Sequence, residues 1–152
     1  AGLTRREIGT AADYLDDPGI SVLDVSRVAR QAGRIHAMHD PTEGGVVTAL
    51  DELAGAAAVR ISVDTQTLRE AVTPLTQRVC SVVGIDPLGA ISSGAMLIGT
   101  PEPETVADAL RAAEHPVWHV GLVEAPTGAA TCIARDSSPW PVFAVDEVAG
   151  LF

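Results

Sequence analysis

The sequence lacks lysine, and this absence excludes two kinds of chemistry. All ten basic residues are arginine, so the chain supplies neither the lysine of a phosphate-binding P-loop nor an amine for Schiff-base catalysis. Acidic residues outnumber the arginines two to one, with 20 Asp and Glu and a formal net charge of −10. A chain this acidic is poorly suited to the phosphate backbone of DNA or RNA, and we expect no nucleic-acid partner.

Cysteine is also scarce, since the chain contains only Cys80 and Cys132. The two are far apart in sequence and do not form a metal-type pair. Cys80 lies among valines on a predicted helix, and Cys132 lies in a predicted strand. We therefore expect two buried free thiols, which suits a reducing compartment.

Long apolar runs are missing as well. No stretch approaches the roughly 18 apolar residues that a membrane-spanning helix needs, and no secretory leader pattern is visible. Together with the free thiols, this predicts a soluble cytoplasmic protein without a membrane partner. The 152 residues are 47% hydrophobic and 20% charged, which is typical of a single folded domain with a real core.

Five helices are predicted from capping residues and apolar spacing. They begin at Thr4, Ser21, Thr42, Thr73-Pro74 and Glu102-Pro103-Glu104, and the first four end near Leu15, Gly33, Ala57 and Gly84. The Thr42 helix is expected to bury Val46, Ala49, Leu50, Leu53, Ala54 and Ala57 and to turn Thr48, Asp51 and Glu52 outward.

Strand patterns alternate with these helices. Val59 to Val63 has the period of a half-buried strand, and Ile35 to Met38 and Ala95 to Gly99 are short apolar strands. Val117 to Val123 and Ala130 to Ala134 are predicted to form a hairpin, and the chain beyond Asp136 to be irregular. This mixture predicts an α+β domain with helices packed on a mixed β-sheet.

The segment from Met38 to Gly45, with the sequence MHDPTEGG, carries the strongest functional signal. A short strand leads into Asp40-Pro41, and Thr42, Glu43, Gly44 and Gly45 open an amphipathic helix. A helix N-terminus presents unpaired N–H groups and a partial positive charge, and glycines allow close approach to the backbone. The pattern favours a phosphate-binding turn, although an ordinary strand-to-helix turn has the same residues.

The motif DPTEGG at 40–45 resembles the hallmark of the second domain of the AIR synthase (PurM-like) superfamily. That group includes AIR synthase, selenophosphate synthase, thiamine monophosphate kinase and a hydrogenase maturation factor. Further stretches agree in order and spacing, namely 15–22, 83–88, 91–97 and the closing 146–152. The resemblance implies a C-terminal domain of this type over residues 1–152, with partial ferredoxin-like character.

The resemblance also implies a missing half. Members of the superfamily carry an N-terminal domain that supplies the dimer interface and holds Mg–ATP, and this chain resembles only the second domain. We therefore expect ATP and Mg²⁺ to be bound mainly by that N-terminal domain. The implied partners are the N-terminal domain, a second subunit in a homodimer and a small-molecule substrate, and the isolated domain is expected to be inactive.

Residues of the motif each have a functional and a structural interpretation. Asp40 is a candidate to hold a substrate group, or it starts a turn before Pro41. His39 is a candidate general acid or phosphate contact, or it packs beside the sheet. Glu43 suits the helix dipole but would repel a phosphate. In the hydrogenase maturation factor the position of Glu43 is commonly basic and a terminal cysteine carries the carbamoyl group, so Glu43 and the ending Gly150-Leu151-Phe152 count against that subfamily.

A second candidate segment is Ser92-Ser93-Gly94, a polar turn before a predicted strand. The resemblance implies that this turn faces the same cleft, and a plain loop of small residues is the alternative. The spacings of His36 with His39 and of His115 with His119 resemble metal pairs only superficially, and we predict no metal site in this domain.

The sequence therefore predicts one leading function and one alternative. The resemblance implies the C-terminal domain of an ATP-dependent enzyme that phosphorylates an amide or carbamoyl-type oxygen. His39 and Asp40 are the catalytic candidates, and the phosphate or substrate contacts are expected at Thr42 to Gly45 and Ser92 to Gly94. The alternative is a non-catalytic domain that keeps the same fold for assembly or regulation.

Overall fold

A computed structural model of the chain describes residues 2–129 and 131–152. The described residues form six α-helices: α1 (Arg5–Asp13), α2 (Leu23–Ala32), α3 (Gly45–Ala57), α4 (Thr65–Glu70), α5 (Pro74–Val83) and α6 (Pro103–Ala112). A wide helical turn at Leu15–Gly19 follows α1, and a 3₁₀ turn at Ala149–Leu151 lies near the C-terminus.

Five short strands form two sheets within the described part of the chain: β1 (Ala37–His39), β2 (Arg60–Val63), β3 (Leu97–Gly99), β4 (Gly121–Glu124) and β5 (Thr131–Ala134). Strands β1 and β3 pair antiparallel, with Met38 opposite Ile98. In the other sheet β2 is central, antiparallel to β4 and parallel to β5, and Ile61 lies opposite both Val123 and Cys132. The α+β class with a mixed sheet is thus confirmed.

The predicted hairpin between Val117–Val123 and Ala130–Ala134 is wrong. Strands β4 and β5 lie on opposite sides of β2 and do not pair with each other. Each segment does contain a strand, although β4 begins only at Gly121, but a strand pattern does not specify its partner. Ala130, the first residue of the predicted second strand, lies outside the described residues.

Several helix boundaries follow from local capping. The side chain of Thr4 accepts a hydrogen bond from the Glu7 N–H at 3.2 Å, and the Glu7 carboxylate accepts from the Thr4 N–H at 2.7 Å. This capping box confirms the start of α1, although the helix ends two residues before Leu15. Thr73 caps α5 through the Thr76 N–H at 3.1 Å, and left-handed Gly84 ends it as predicted.

The main hydrophobic core lies between α3 and the three-stranded sheet. Its buried members are Val47, Leu50, Ala54, Ile61, Val63, Leu68, Leu88 and Cys132. A second cluster joins Ala29 of α2 to Val106 and Leu110 of α6. The expected stripe of α3 is partly confirmed, because Ala49, Leu50 and Ala54 are buried. Val47 is also buried, whereas Ala57 is exposed. The N-terminal part of α3 is therefore buried more deeply than its C-terminal end.

Both cysteines are free and buried, as predicted. Burial raises the pKa of the Cys132 thiol strongly, and the nearby Asp51 carboxylate acts in the same direction. Burial also raises the pKa of Cys80, with a smaller contribution from Asp86. These thiols therefore stay protonated near neutral pH. Across the described residues, no helix combines the length and the apolar character needed to cross a membrane.

Candidate functional site

The beginning of α3 differs from the predicted Thr-capped helix. The cap residue is Gly44, in the left-handed region at φ +80°, and no side chain caps the helix. Thr42 is exposed, and its carbonyl oxygen, rather than its hydroxyl, accepts a hydrogen bond from the Gly45 N–H at 3.1 Å. Glu43 is exposed and precedes the helix instead of lying in its first turn. The two positive-φ positions, which only glycine occupies cheaply, delay the helix past Thr42.

The chain's own loop at 88–90 explains why Gly45 is glycine. A Cβ atom on Gly45 would lie 2.5 Å from the Leu88 carbonyl oxygen and 2.6 Å from that of Ala90. The Leu88 carbonyl also accepts a hydrogen bond from the Val47 N–H at 3.2 Å. The absent side chain thus makes room for protein backbone at this position, and this structural requirement holds whether or not a ligand binds nearby.

The amide of Gly44 holds an anion that belongs to the protein itself. Its N–H donates to Oδ2 of Asp146 at 2.8 Å, a contact between residues 102 positions apart. The other carboxylate oxygen, Oδ1, accepts from the Val148 N–H at 2.8 Å. Sequence reasoning missed Asp146. Locally, Asp146 only resembles a turn residue whose carboxylate accepts from the amide two residues later. Such a turn gives no indication of a contact with α3.

Asp40 follows β1 directly and carries an orphaned atom. Its Oδ1 is buried and has no hydrogen-bond partner in the described part of the chain. A buried carboxylate oxygen without a donor is costly, and such groups need a reason beyond packing. A turn-forming Asp would use its oxygens on nearby N–H groups. The structure does not show Asp40 in the local turn contacts that its structural alternative needs at Oδ1, and its contact with a ligand stays a prediction.

His39 lies at the end of β1 and is paired. Its Nε2 lies 2.7 Å from Oε2 of Glu52, which extends from the solvent side of α3 as predicted. His115 similarly lies 3.0 Å from Asp24. No cluster of three or more His, Cys, Asp or Glu side chains suited to a metal ion occurs among residues 2–129 and 131–152.

The Ser92–Gly94 turn is tied to the same loop that contacts Gly45. The Ser92 hydroxyl donates to the Ala90 carbonyl at 2.9 Å, while Ser93 is exposed. Gly94 has φ +95°, and a Cβ there would approach the Gly19 carbonyl to 3.0 Å. The structure therefore links Ser92 to the beginning of α3 through Ala90, and it gives Gly94 a packing role against the Leu15–Gly19 turn.

The loop at 86–90 is itself held by charge. Oδ1 of Asp86 accepts from the Leu88 N–H at 2.9 Å, and its carboxylate pairs with Arg69 at 2.8 Å. Burial alone would raise the pKa of Asp86, but the hydrogen bonds from Arg69 and Leu88 outweigh it and leave the pKa lowered. Asp86 therefore stays ionised near neutral pH and fixes the loop on which Gly45 rests.

Asp51 corrects one feature of the predicted helix face. It was expected to face solvent, but it is half-buried and accepts from Nε1 of Trp140 at 3.0 Å and from the Cys132 N–H at 3.4 Å. Trp140 packs against the main core. Trp140 of the C-terminal segment therefore covers the part of the polar face of α3 around Asp51.

Comparison with known proteins places these residues in a family. A family model described as "AIR synthase related protein, C-terminal domain" matches residues 7–132. A hydrogenase expression/formation protein of Methanocaldococcus jannaschii is 30% identical over 95 residues, which cover 61% of this chain and 27% of that protein. Carbamoyl dehydratase HypE of Rhizobium leguminosarum bv. viciae is 32% identical over 100 residues, covering 66% and 27%.

A solved structure of a hydrogenase maturation protein is also similar to this chain. A crystal structure of hydrogenase maturation protein HypE in complex with ATP has a TM-score of 0.62 and 26% identity, covering 76% of this chain and 37% of that one. The chain thus spans about a quarter of the length of the curated relatives that it matches. These relatives are hydrogenase maturation proteins, the subfamily against which Glu43 counted in the sequence.

Proposed function

Since the chain belongs to the AIR synthase related C-terminal domain family, we propose that it is the C-terminal domain of an ATP-dependent enzyme. That enzyme phosphorylates an amide or carbamoyl-type oxygen and so converts it into a leaving group. Among the similar proteins, one is named a carbamoyl dehydratase and another was solved with ATP. On this proposal the N-terminal half holds most of the nucleotide and the Mg²⁺, and this domain supplies contacts at the beginning of α3.

One observation carries the proposal, namely that the Gly44 N–H already binds an oxyanion. The Asp146 carboxylate oxygen at 2.8 Å supports a position for an anionic oxygen at this buried amide. Phosphate oxygens are stronger acceptors of the same kind, and the dipole of α3 favours their charge. On this proposal a phosphate oxygen takes the position that the Asp146 oxygen occupies in the structure.

The division of labour follows from the chemistry of the side chains. Phosphoryl transfer needs positioned donors and neutralised charge rather than a covalent protein group. We assign phosphate contact to the Gly44 amide and the exposed Thr42 hydroxyl, and contact with the acceptor substrate or its proton to Asp40, whose Oδ1 lacks a partner among the described residues. His39 is available as an acid only after it leaves Glu52. Bound nucleotide would supply the phosphoryl group itself.

A non-catalytic assembly domain is a second candidate, and the glycines favour it. Packing against Leu88 and Ala90 explains Gly45 fully, and the Gly44 amide is satisfied within the chain. Such a domain would keep every feature of α3 without meeting a phosphate. It predicts no ATP turnover by the whole protein.

Titration of backbone amides distinguishes the two candidates. With inorganic phosphate and then Mg–ATP added to the whole protein, we expect saturable shifts concentrated at Thr42 to Gly45, with Gly55 of the same helix unmoved. Thr42→Val should weaken phosphate binding about five- to tenfold, because a hydrogen bond to a charged group is lost. Thr105→Val, an exposed and equally branched change on α6, should leave binding unchanged. Absence of shifts at Gly44 with Mg–ATP bound elsewhere would contradict the assignment.

A further inference from the structure

The C-terminal segment is attached to the domain in two parts. Its first part is held by packing, because Trp140 and Phe143 lie against the main core and the Phe143 ring covers Gly89. Trp140 also donates to Asp51. These contacts bury apolar surface and anchor residues 140–143 by packing, although both parts of the segment reach Gly89.

The second part makes polar contacts with the domain, and none of its residues belongs to either of the two hydrophobic clusters described above. It consists of Asp146, Glu147 and Val148, which we term the clasp. Besides the bond from Gly44 to Asp146, the Glu147 N–H donates to the Gly89 carbonyl at 3.0 Å, and the Asp86 N–H donates to Oε2 of Glu147 at 3.0 Å. All of these contacts are made to the beginning of α3 or to the loop on which it rests.

The two parts are joined by a short exposed stretch. Ala144 and Val145 are exposed, Val145 to 66%, and the backbone from Trp140 to Val145 forms neither helix nor strand. The clasp can therefore leave the domain surface without disturbing Trp140 or Phe143. Segments with few buried apolar contacts open at low free-energy cost.

We propose that the clasp is an intramolecular competitor for the phosphate position at Gly44, so that phosphate binding and clasp closure exclude each other. The inference rests on the proposed function, since it needs phosphate to use the Gly44 amide. That single N–H, 2.8 Å from Asp146, cannot donate a full hydrogen bond to a second oxyanion. The apparent phosphate affinity is then the intrinsic affinity multiplied by the fraction of molecules with an open clasp.

The competition is reciprocal. Phosphate opens the clasp by the same factor by which an open clasp improves phosphate binding, because the two equilibria are linked. The Gly44 amide is thus satisfied in both states, first by the protein's own carboxylate and then by the ligand. The clasp prevents a buried donor from being left without a partner when no ligand is bound.

The test is a phosphate titration of the 152-residue chain monitored by amide NMR, with three proteins compared. Asp146→Ala removes the competing carboxylate and should bind inorganic phosphate about tenfold more tightly than the unaltered chain, for a clasp closed in roughly nine molecules of ten. Asp108→Ala removes the same charge from an exposed site on α6 and should change nothing. Asp146→Asn keeps the shape of the side chain and replaces the carboxylate with a weaker, neutral acceptor, so it should also bind phosphate more tightly than the unaltered chain, by less than Asp146→Ala, and it serves if the alanine variant is poorly folded.

A second readout reports on the clasp itself. In the unaltered chain, phosphate should shift the Gly44 amide and move the Glu147 and Val148 amides toward unfolded values with faster hydrogen exchange. Equal phosphate affinity in the unaltered chain and Asp146→Ala, with Gly44 shifting in both, would overturn the clasp and leave the phosphate site intact. No shift at Gly44 in any of the proteins would overturn both, and Asp146 would be a permanent cap of α3.

Discussion

Gly45→Ala is expected to lower the free energy of unfolding by about 2–5 kcal/mol. Two costs combine at this position. Gly45 has φ +65°, a conformation that costs alanine about 1–2 kcal/mol. The new Cβ would also lie 2.5 and 2.6 Å from two backbone carbonyl oxygens, which cannot rotate away as a flexible side chain would. Urea unfolding followed by circular dichroism measures the loss.

Gly55 provides a matched control on the same helix. It is exposed, and a Cβ there meets nothing within 4 Å. Gly55→Ala should therefore raise stability by up to about 1 kcal/mol, because alanine is the better helix former. If Gly45→Ala were as stable as the unaltered chain, the seating of α3 on residues 88–90 would be wrong. A ligand test should not use Gly45, since loss of folding would resemble loss of binding.

Leu88→Ala should cost about 2–5 kcal/mol, the range for a buried leucine reduced to alanine. Leu88 is 1% exposed and is among the largest fully buried side chains of the described residues. Its removal leaves a cavity under the loop that supports α3. The Leu88 carbonyl accepts a hydrogen bond from the Val47 N–H. In the Leu88→Ala variant we therefore expect hydrogen exchange to become faster at Val47 than at residues in the middle of α3.

Leu23→Ala is the control for the cavity. Leu23 is 62% exposed at the first residue of α2, so the same truncation should change stability by less than about 1 kcal/mol. Chemical denaturation of both variants under one set of conditions gives the comparison. Similar losses in the two would mean that Leu88 is not the buried support described for the loop.

Some local signals were sufficient to predict helix boundaries, although Ser21 was expected to begin a helix and Val22 is instead the N-cap of α2. Thr4 with Glu7, and Thr73 with Pro74, define helix starts through contacts within three residues. Gly84 ends α5 because a left-handed residue is needed there. In these cases the residues that decide the conformation are neighbours in the chain, so no knowledge of the tertiary fold was needed.

Where the deciding contact is distant, the sequence was not sufficient. Threonine is a common N-cap residue, so Thr42 was expected to begin the helix. The 88–90 loop packs against Gly45, however, and the helix begins after Gly44. The sequence predicted strands in the β4 and β5 regions but not β2 as their common partner. Asp51 was placed outward by helix periodicity, which cannot anticipate a C-terminal segment lying over that face.

The candidate site shows the same division. The motif at Asp40 to Gly45 was found from its residues, and its role in phosphate contact stays a prediction. Asp146 was not found, because 102 positions separate it from Gly44 and no spacing rule joins them. The sequence also could not predict that Oδ1 of Asp40 is buried without a hydrogen-bond partner among the described residues, because the burial of a single atom depends on the whole surrounding fold.

The topology of the sheets also determines when this domain can fold during synthesis. Strand β1 (37–39) pairs with residues 97–99, and β2 (60–63) pairs with strands at 121–124 and 131–134. Such distant pairings slow folding, because long loops must close before any pairing energy is gained. While the ribosome is still adding residues 64–120, the apolar face of α3 and both edges of β2 lack their partners. This interval is when a nascent chain would be most prone to aggregate and most dependent on chaperones.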